Sequence, residues 1–408
     1  MKDNGSDVTR RKFLAAAASG LAAAGLAGFP SGAAIADEEK KPAEKASKKI
    51  IYRQLGKTDI RLPIVSMGVM NANNPEIVQA SYEIGVRHFD TAAYYQYGRN
   101  EQMVGSVINK LGVRDKVVIG TKVHAQGQRR GLADNESKKK LIDAVDSSLE
   151  RLKMEYTDIL YIHDVSDPEE IFSPGIVEGL GVLKEKKKAR HVGVSTHNNM
   201  TGIISAIAAK GVYDVVLTAI NFTMADDAEL LKAIENAGKK GVGIIAMKTQ
   251  AGGARWPNPE SRRDYSSSTI ATAALKWVLR NENITTAIPG YTNHEHMTED
   301  FSVAYDLEYT EEEKKLLSDN NIKLSLGFCR QCKKCLASCP NDVDIPKLMR
   351  THMYAAQYGN FHQARATLDE IPGRGGLASC KSCVSCIAQC ANTVDIARRV
   401  DELKLMYA

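Results

Sequence analysis

Ile-Val-Ser-Met-Gly-Val-Met-Asn-Ala-Asn-Asn-Pro, residues 64–75, is the stretch that decides between two α/β folds. Its apolar, β-branched start at 64–69 reads as a strand. A doubly wound dinucleotide-binding sheet needs a glycine-rich turn directly after its first strand, where the backbone must approach a pyrophosphate. Residues 70–75, Met-Asn-Ala-Asn-Asn-Pro, supply no such turn. Outward from this point, similar short runs recur at 88–91, 117–123, 159–163, 191–195, 215–222, 242–248 and 286–289. Each is followed by a longer amphipathic segment. Eight strands alternating with helices predict a (β/α)8 TIM barrel over residues 50–323.

The 408 residues are too many for one small domain, and two or three units are expected. The apolar fraction of 43% and charged fraction of 25% are ordinary for a globular chain. The net charge of +5 is mild, and its lysine runs at 138–140 and 184–188 fall on predicted helices. They read as solvated faces, so nucleic acid is dropped as a partner.

In such a barrel the βα loops converge at the C-terminal ends of the strands, and chemistry sits there. Asp90 ends the second predicted strand, Lys122 the third and His163 the fourth, with Tyr95 five residues past Asp90. Taken singly, each has a structural explanation as a loop cap, an ion-pair partner or a core histidine. Four on one rim describe a carbonyl-reducing site. A phenol near pKa 10 is a weak donor at neutral pH, and a neighbouring ammonium is expected to lower it. A carboxylate keeps the lysine charged, while an imidazole orients the carbonyl that the phenol protonates.

These segments resemble the aldo-keto reductase family. Tyr-Arg-Gln-Leu-Gly-Lys-Thr (52–58) is similar to its opening hairpin, and Phe-Asp-Thr-Ala-Ala-Tyr-Tyr (89–95) to its second-strand motif. Gly-Thr-Lys (120–122) and Leu-Tyr-Ile-His (160–163) resemble its lysine and histidine segments. The resemblance implies a tetrad of Asp90, Tyr95, Lys122 and His163, with Tyr94 and Tyr97 flanking the phenol. It also implies NADP, or NAD, bound across the rim without a glycine-rich fingerprint. Val-Gly-Val-Ser (192–195) matches the carboxamide segment, so Ser195 and Thr196 are candidate contacts, although the family usually has Asn at 196. Ile-Pro-Gly (288–290) matches the start of the adenosine-phosphate segment, which makes Gly290, Tyr291 and His296 candidates. Gly290 and His296 stand where a lysine and an arginine often hold the 2′-phosphate, which weakens the preference for NADP. Lys248, ending the seventh strand, is a candidate for the pyrophosphate. Residues 126–135 and 252–268, with Trp256, are the expected substrate loops for a carbonyl or alcohol.

All eight cysteines lie between 329 and 390, so the first 328 residues contain no disulfide. Cys329, Cys332, Cys335 and Cys339 precede Pro340 in a C-x2-C-x2-C-x3-C-P run. Cys380, Cys383, Cys386 and Cys390 repeat that spacing before Ala391. Structural zinc uses paired C-x2-C knuckles rather than a tight triplet, and disulfides need no such period. The spacing is that of two [4Fe–4S] clusters, where the fourth cysteine of each run serves the other cluster. One cluster then takes Cys329, Cys332, Cys335 and Cys390, and the other Cys380, Cys383, Cys386 and Cys339. The spacer reads helical at 345–358 and 360–370 and resembles the α-helical dicluster domains of respiratory reductases. A small, mostly α-helical ferredoxin-type iron–sulfur domain is therefore expected at 324–408.

Thr-Arg-Arg-Lys-Phe-Leu (9–14) and the Ala/Gly/Leu-rich stretch to Ala36 resemble a twin-arginine signal peptide, cleaved after Ala34-Ile35-Ala36. An uncleaved segment would be a membrane anchor, although Pro30 breaks it. Residues 37–49 read as a linker. The expectation is a periplasmic iron–sulfur reductase that exchanges electrons with a redox partner protein or a quinone-linked donor or acceptor. The alternative is an electron-transfer protein whose barrel is a non-catalytic scaffold or docking module. Replacing Arg10 and Arg11 together by Lys should trap the precursor in the cytoplasm. Normal export of the double variant in a fractionation assay would remove the twin-arginine route.

Overall fold

A hairpin of β1 (Tyr52–Gln54) and β2 (Arg61–Pro63) comes first in this computed structural model, which describes residues 49–125, 132–252 and 265–407. The segments read as export signal and linker, apart from Lys49, lie outside those residues. So do 126–131 and 253–264, which hold most of the two expected substrate loops and Trp256. The hairpin plugs the N-terminal end of the barrel. Arg53 donates to the carbonyls of Leu279 and Ile284, both at 2.7 Å. Its turn needs Gly56, whose φ is +55° and where a Cβ would stand 2.4 Å from the Gly241 carbonyl.

Eight strands follow: β3 (Met67–Gly68), β4 (His88–Asp90), β5 (Val118–Val123), β6 (Thr157–Ile162), β7 (Ala189–Thr196), β8 (Val215–Ala219), β9 (Gly243–Met247) and β10 (Ile284–Ala287). Each pairs in parallel with its neighbour in sequence. The ring closes between the first and last strands, where Ser66 donates to Ala287 at 2.8 Å and Ala287 to Ile64 at 2.9 Å. This is the (β/α)8 barrel expected from the alternation. At the closure the first regular strand is shorter than its apolar run, and the last begins two residues earlier than 286–289, with a register shift between Ile284 and Thr286.

Helices α1 (Pro75–Ile84), α2 (Arg99–Leu111) and α3 (Asp134–Leu152) follow β3, β4 and β5. The short α4 (Pro168–Ile171) and α5 (Pro174–Glu185) follow β6. Then α6 (Met200–Lys210), α7 (Ala228–Lys239), α8 (Ser267–Leu279) and α9 (His294–Ser302) each follow one strand. The interior is filled rather than hollow. Tyr161 is fully buried, and glycine at 193 leaves its ring room, since a Cβ there would come within 2.8 Å.

Past the barrel, α10 (Glu311–Ser318) and α11 (Asn320–Ser325) still pack on it through Leu316, Ile322 and Leu326 against Phe222 and Ile270. The chain thus stays with the barrel a few residues beyond 323. The tail then folds as α12 (Ile345–His352), a π-helical turn at Met353–Gln357, α13 (Phe361–Asp369) and α14 (Ile396–Tyr407). It has an apolar core of its own, in which Val343, Leu348, Met349, Ile396, Val400 and Leu403 surround Cys335.

The tail sits over the C-terminal rim of the barrel. Arg350 of α12 grips Asp164, just past β6, with two hydrogen bonds of 3.0 and 2.7 Å. Tyr354 accepts from Lys248 at 2.9 Å, Asn360 donates to Asn71 at 3.0 Å, and the Tyr94 hydroxyl donates to the Ala366 carbonyl. Asp164 and Arg350 are both largely shielded from solvent, with side chains 12% and 3% exposed. The guanidinium holds the Asp164 carboxyl well below the usual carboxylate range, against the opposing effect of burial. Removing one partner of such a pair leaves the other charge buried, which typically costs about 3–5 kcal/mol. Arg350→Leu should therefore lower the unfolding midpoint markedly, whereas an exposed control such as Arg365→Leu should shift it by no more than about 1 kcal/mol equivalent in a denaturant titration.

Candidate active site and cysteine centres

Three barrel strands and one loop bring the expected tetrad together. Asp90 ends β4 beside Gly120 of β5, and Lys122 lies two residues further along β5. The Lys122 ammonium donates to Asp90 at 2.5 Å, to the Thr91 carbonyl at 2.7 Å and to the Tyr95 hydroxyl at 3.3 Å. The edge of the His163 imidazole meets the Tyr95 ring, with centroids 5.9 Å apart. Asp90 and Lys122 are each about 1% exposed, and Tyr95 is 9% exposed.

Burial shapes the protonation of every member. It lowers the Lys122 ammonium and raises the Asp90 carboxyl, and their mutual attraction opposes both shifts. Tyr95 departs from the sequence expectation, because it is pushed well above 10 by burial and by the nearby carboxylates of Asp90 and Asp164. The lysine charge is committed to Asp90 and does not outweigh that desolvation. Tyr95 is thus a neutral phenol that releases its proton only when negative charge develops beside it. His163 is held well below 6.5, again chiefly by burial, so it acts as neutral imidazole. Its Nδ1 and the Asp90 Oδ2 are buried with no hydrogen-bond partner among the described residues.

Three of these groups, all but Lys122, face a cavity of about 280 Å3 between rim and tail. Asp90, Tyr95, His163 and Lys248 line it from the barrel, and Arg350, Tyr354, Tyr358 and Gln363 from the tail. Gly290 and His296 line its other end. Three candidate dinucleotide contacts stand differently. Thr196 is fully buried, with its hydroxyl 2.7 Å from the Val165 carbonyl and 2.6 Å from that of Asn198. Ser195 is 1% exposed and accepts from the Asp164 amide at 3.1 Å. Tyr291 turns away from the cavity into the barrel core. Of the candidate dinucleotide contacts, Gly290, His296 and Lys248 line the cavity, and Ser195, Thr196 and Tyr291 do not.

The cysteines form two separate sets. One small cavity is lined by Cys329, Cys332, Cys335 and Cys390, and another by Cys339, Cys380, Cys383 and Cys386. Each set thus takes three thiols from one run and its fourth from the other. The pattern is pseudo-symmetric. Asn341 donates to Cys383 at 3.1 Å, and Asn392, at the same offset after its own run, to Cys332 at 3.7 Å. Burial pushes the Cys329 thiol up to about 12, and Cys335 and Cys380 up to about 11. Thiols so placed become ligands only when a metal supplies the compensating charge. Among the described residues no three donors are gathered closely enough for a single metal ion. Four thiols around a cubane, one per iron, satisfy the arrangement better than four around one zinc.

Comparison with known proteins agrees with this geometry. Residues 67–267 match the aldo/keto reductase family, and residues 321–391 the 4Fe-4S dicluster domain. An aldo/keto reductase domain followed by a 4Fe-4S dicluster domain is thus supported. It is 26% identical over 305 residues to L-galactose dehydrogenase of Arabidopsis thaliana, covering 66% of this chain and 93% of the relative. It is 23% identical over 317 residues to L-glyceraldehyde 3-phosphate reductase of Escherichia coli, covering 64% of this chain and 90% of the relative. Among solved structures, the holo form of an aldo-keto reductase from Bacillus halodurans superposes with a TM-score of 0.54 at 21% identity. That match covers 66% of this chain and 95% of the other, and it supports the fold.

Sequence reasoning missed the residues that the tail contributes to the aldo/keto reductase cavity. Asp164 is adjacent to His163 and could have been noticed as a second rim acid. Arg350 and Tyr354 are four apart on a predicted helix, but nothing local shows which surface that face meets. Tyr95→Phe should reduce turnover of a carbonyl test substrate at least ~100-fold, the usual scale of general acid catalysis, with little change in dinucleotide affinity. Tyr97→Phe, on a side chain 61% exposed, should be nearly silent. A larger loss from Tyr97→Phe than from Tyr95→Phe would show that the phenol is misassigned.

Proposed function

We propose that this chain is an exported iron–sulfur oxidoreductase of aldo-keto reductase type. In this reading it reduces a small carbonyl compound, or oxidises the corresponding alcohol, in the cavity between barrel and tail. The carrying observation is the shared wall between that cavity and the cysteine centres. Lys248, His197, Arg350 and Gln357 line the tetrad cavity and also a crevice that reaches Cys329. The Cys329 set is accordingly the one nearer the barrel. The Cys380 set lies beside exposed apolar tips at Val384 and Ile387, where a redox partner protein could approach.

Gly290 and His296 would hold a nicotinamide dinucleotide, and the two cysteine sets would hold two [4Fe–4S] clusters. Bound there, the dinucleotide supplies a hydride and the clusters supply storage for single electrons. The chain's own residues do the rest. His163 and Tyr95 orient the carbonyl oxygen, Tyr95 protonates it as charge builds, and Lys122 with Asp90 stabilises the phenolate that remains. The roof formed by α12 and the π-turn excludes bulk water from that exchange. Assembly of oxygen-sensitive clusters before export accounts for a twin-arginine route, which carries folded proteins.

A second reading keeps the barrel as a scaffold, and the internal engagement of the Thr196 hydroxyl favours it. Quenching of protein fluorescence by added dinucleotide separates the two. The mature protein, purified without oxygen, should contain about eight iron and eight labile sulfide per chain, and Cys335→Ser should lose about half. Four irons or fewer after reconstitution, or stoichiometric zinc, would overturn the two-cluster assignment.

A further inference from the structure

Among the described residues, the charges that line the cavity do not balance. Asp90 is paired with Lys122, and Asp164 with Arg350. Glu370 is paired with Lys347 at 3.0 Å. Lys248 makes no ion pair among the described residues, and its ammonium donates to the Tyr354 hydroxyl at 2.9 Å. It also lies over the Tyr354 ring, 4.7 Å from the centroid. The partial exposure of Lys248 opens onto the cavity whose wall it forms. Its backbone has φ of +55°, a conformation costly for a non-glycine residue, at the end of β9. Strain at a functional rim is sustained where the side chain must point in one direction.

An enclosed ammonium without a carboxylate costs free energy until an anion reaches it. The groups facing it are Arg350 and Tyr354 from the tail, Asp164 beyond β6, His197 beyond β7 and Lys122 of β5. Burial first, and then the Arg350 charge, bring Lys248 down to about 7, with Asp164 opposing and Lys122 adding to the effect. Lys248 lines the same cavity as Asp90, Tyr95 and His163 of the tetrad. Tyr354 supplies a second donor to the same point. It comes from the π-helical turn of the iron–sulfur tail, a kind of turn common at functional sites.

We propose that Lys248 and Tyr354 form an oxyanion site for the substrate, which would be a carbonyl compound bearing a carboxylate or phosphate. The carbonyl lies at Tyr95 and His163 and the anionic group at Lys248, so the tail completes substrate recognition. This rests on the reading of the cavity as the carbonyl site. It differs from a pyrophosphate role for Lys248, which shares the same anion chemistry but comes from the cofactor.

The test uses the iron-loaded mature protein and two probes of similar shape, pyruvate and the neutral diketone diacetyl. Calorimetric pyruvate affinity should weaken about 10- to 100-fold in Lys248→Met and about 2- to 10-fold in Tyr354→Phe, the usual worth of a charged and a neutral hydrogen bond. Preference for pyruvate over diacetyl in kcat/KM should fall by a similar factor. Melting midpoint and iron content serve as folding controls. In the wild type, pyruvate affinity should drop as pH rises above about 7, because the ammonium is lost there, and Lys248→Arg should abolish that drop.

Three results would overturn the proposal. One is the absence of pyruvate binding to the wild-type protein, and another is unchanged pyruvate affinity in Lys248→Met. The third is a loss in Lys248→Met of NADP affinity rather than pyruvate affinity, which would assign the oxyanion to the cofactor. Failure of the carbonyl reading is seen separately, as Tyr95→Phe retaining full turnover while Lys248→Met still loses pyruvate.

Discussion

The buried ion pair between Asp164 and Arg350 is the constraint from which the rest of this architecture follows. A TIM barrel with an open rim exposes its catalytic groups to water and needs loops to cover them. Here a guanidinium from a second domain grips a carboxylate placed one residue after the tetrad histidine. The pair is bidentate and largely dry, so one charge cannot be exposed without leaving the other unsatisfied. It fixes α12 across the mouth of the barrel, and with α12 come Tyr354, Tyr358 and Gln363. The cavity exists because this joint holds.

Enclosure also sets the chemistry of the phenol. In an open cleft a lysine beside a tyrosine lowers its pKa. Under this roof the cost of burying a phenolate exceeds what the ammonium returns, since Lys122 is bound first to Asp90. Tyr95 consequently remains protonated across the physiological range. In the proposed reaction it acts as an acid where a developing alkoxide offers charge that the same pocket would otherwise strand. Lys122 and Asp90 form a nearly neutral couple, and the imidazole of His163 is neutral as well. The cavity is therefore lined by directed dipoles, with Lys248 as its one cation outside an ion pair among the described residues.

The joint has a second consequence for the placement of the cysteine sets. Cys329 reaches the far side of the wall that carries Lys248, His197 and Arg350, while Cys383 and Cys386 lie in the outer part of the tail beside exposed Val384 and Ile387. The two cysteine sets share one pseudo-symmetric pattern of asparagine-to-sulfur hydrogen bonds and yet occupy unequal positions. The asymmetry comes from docking and not from the motif, because each set is built by the same spacing rule.

Much of this was legible in the chain itself. A period of strand and helix, with no glycine-rich turn after residue 69, requires a barrel because parallel strands need helical crossovers and a phosphate-binding edge needs glycine. Cysteine spacing dictated the exchange of Cys339 and Cys390 between sets, since a tight triplet leaves its fourth thiol pointing away. The positions of Asp90, Tyr95, Lys122 and His163 follow from strand ends that all open on one rim. Tertiary structure alone decided the rest. The Thr196 hydroxyl is taken up by two neighbouring carbonyls and Tyr291 is buried in the apolar core, which no local pattern records. Arg350 and Tyr354 entered the active cavity because a long-range charge pair, 186 residues apart in the chain, turned one helix face toward the rim. Local sequence determines which elements form, whereas apolar packing and the burial of unlike charges between distant elements determine which of their faces meet.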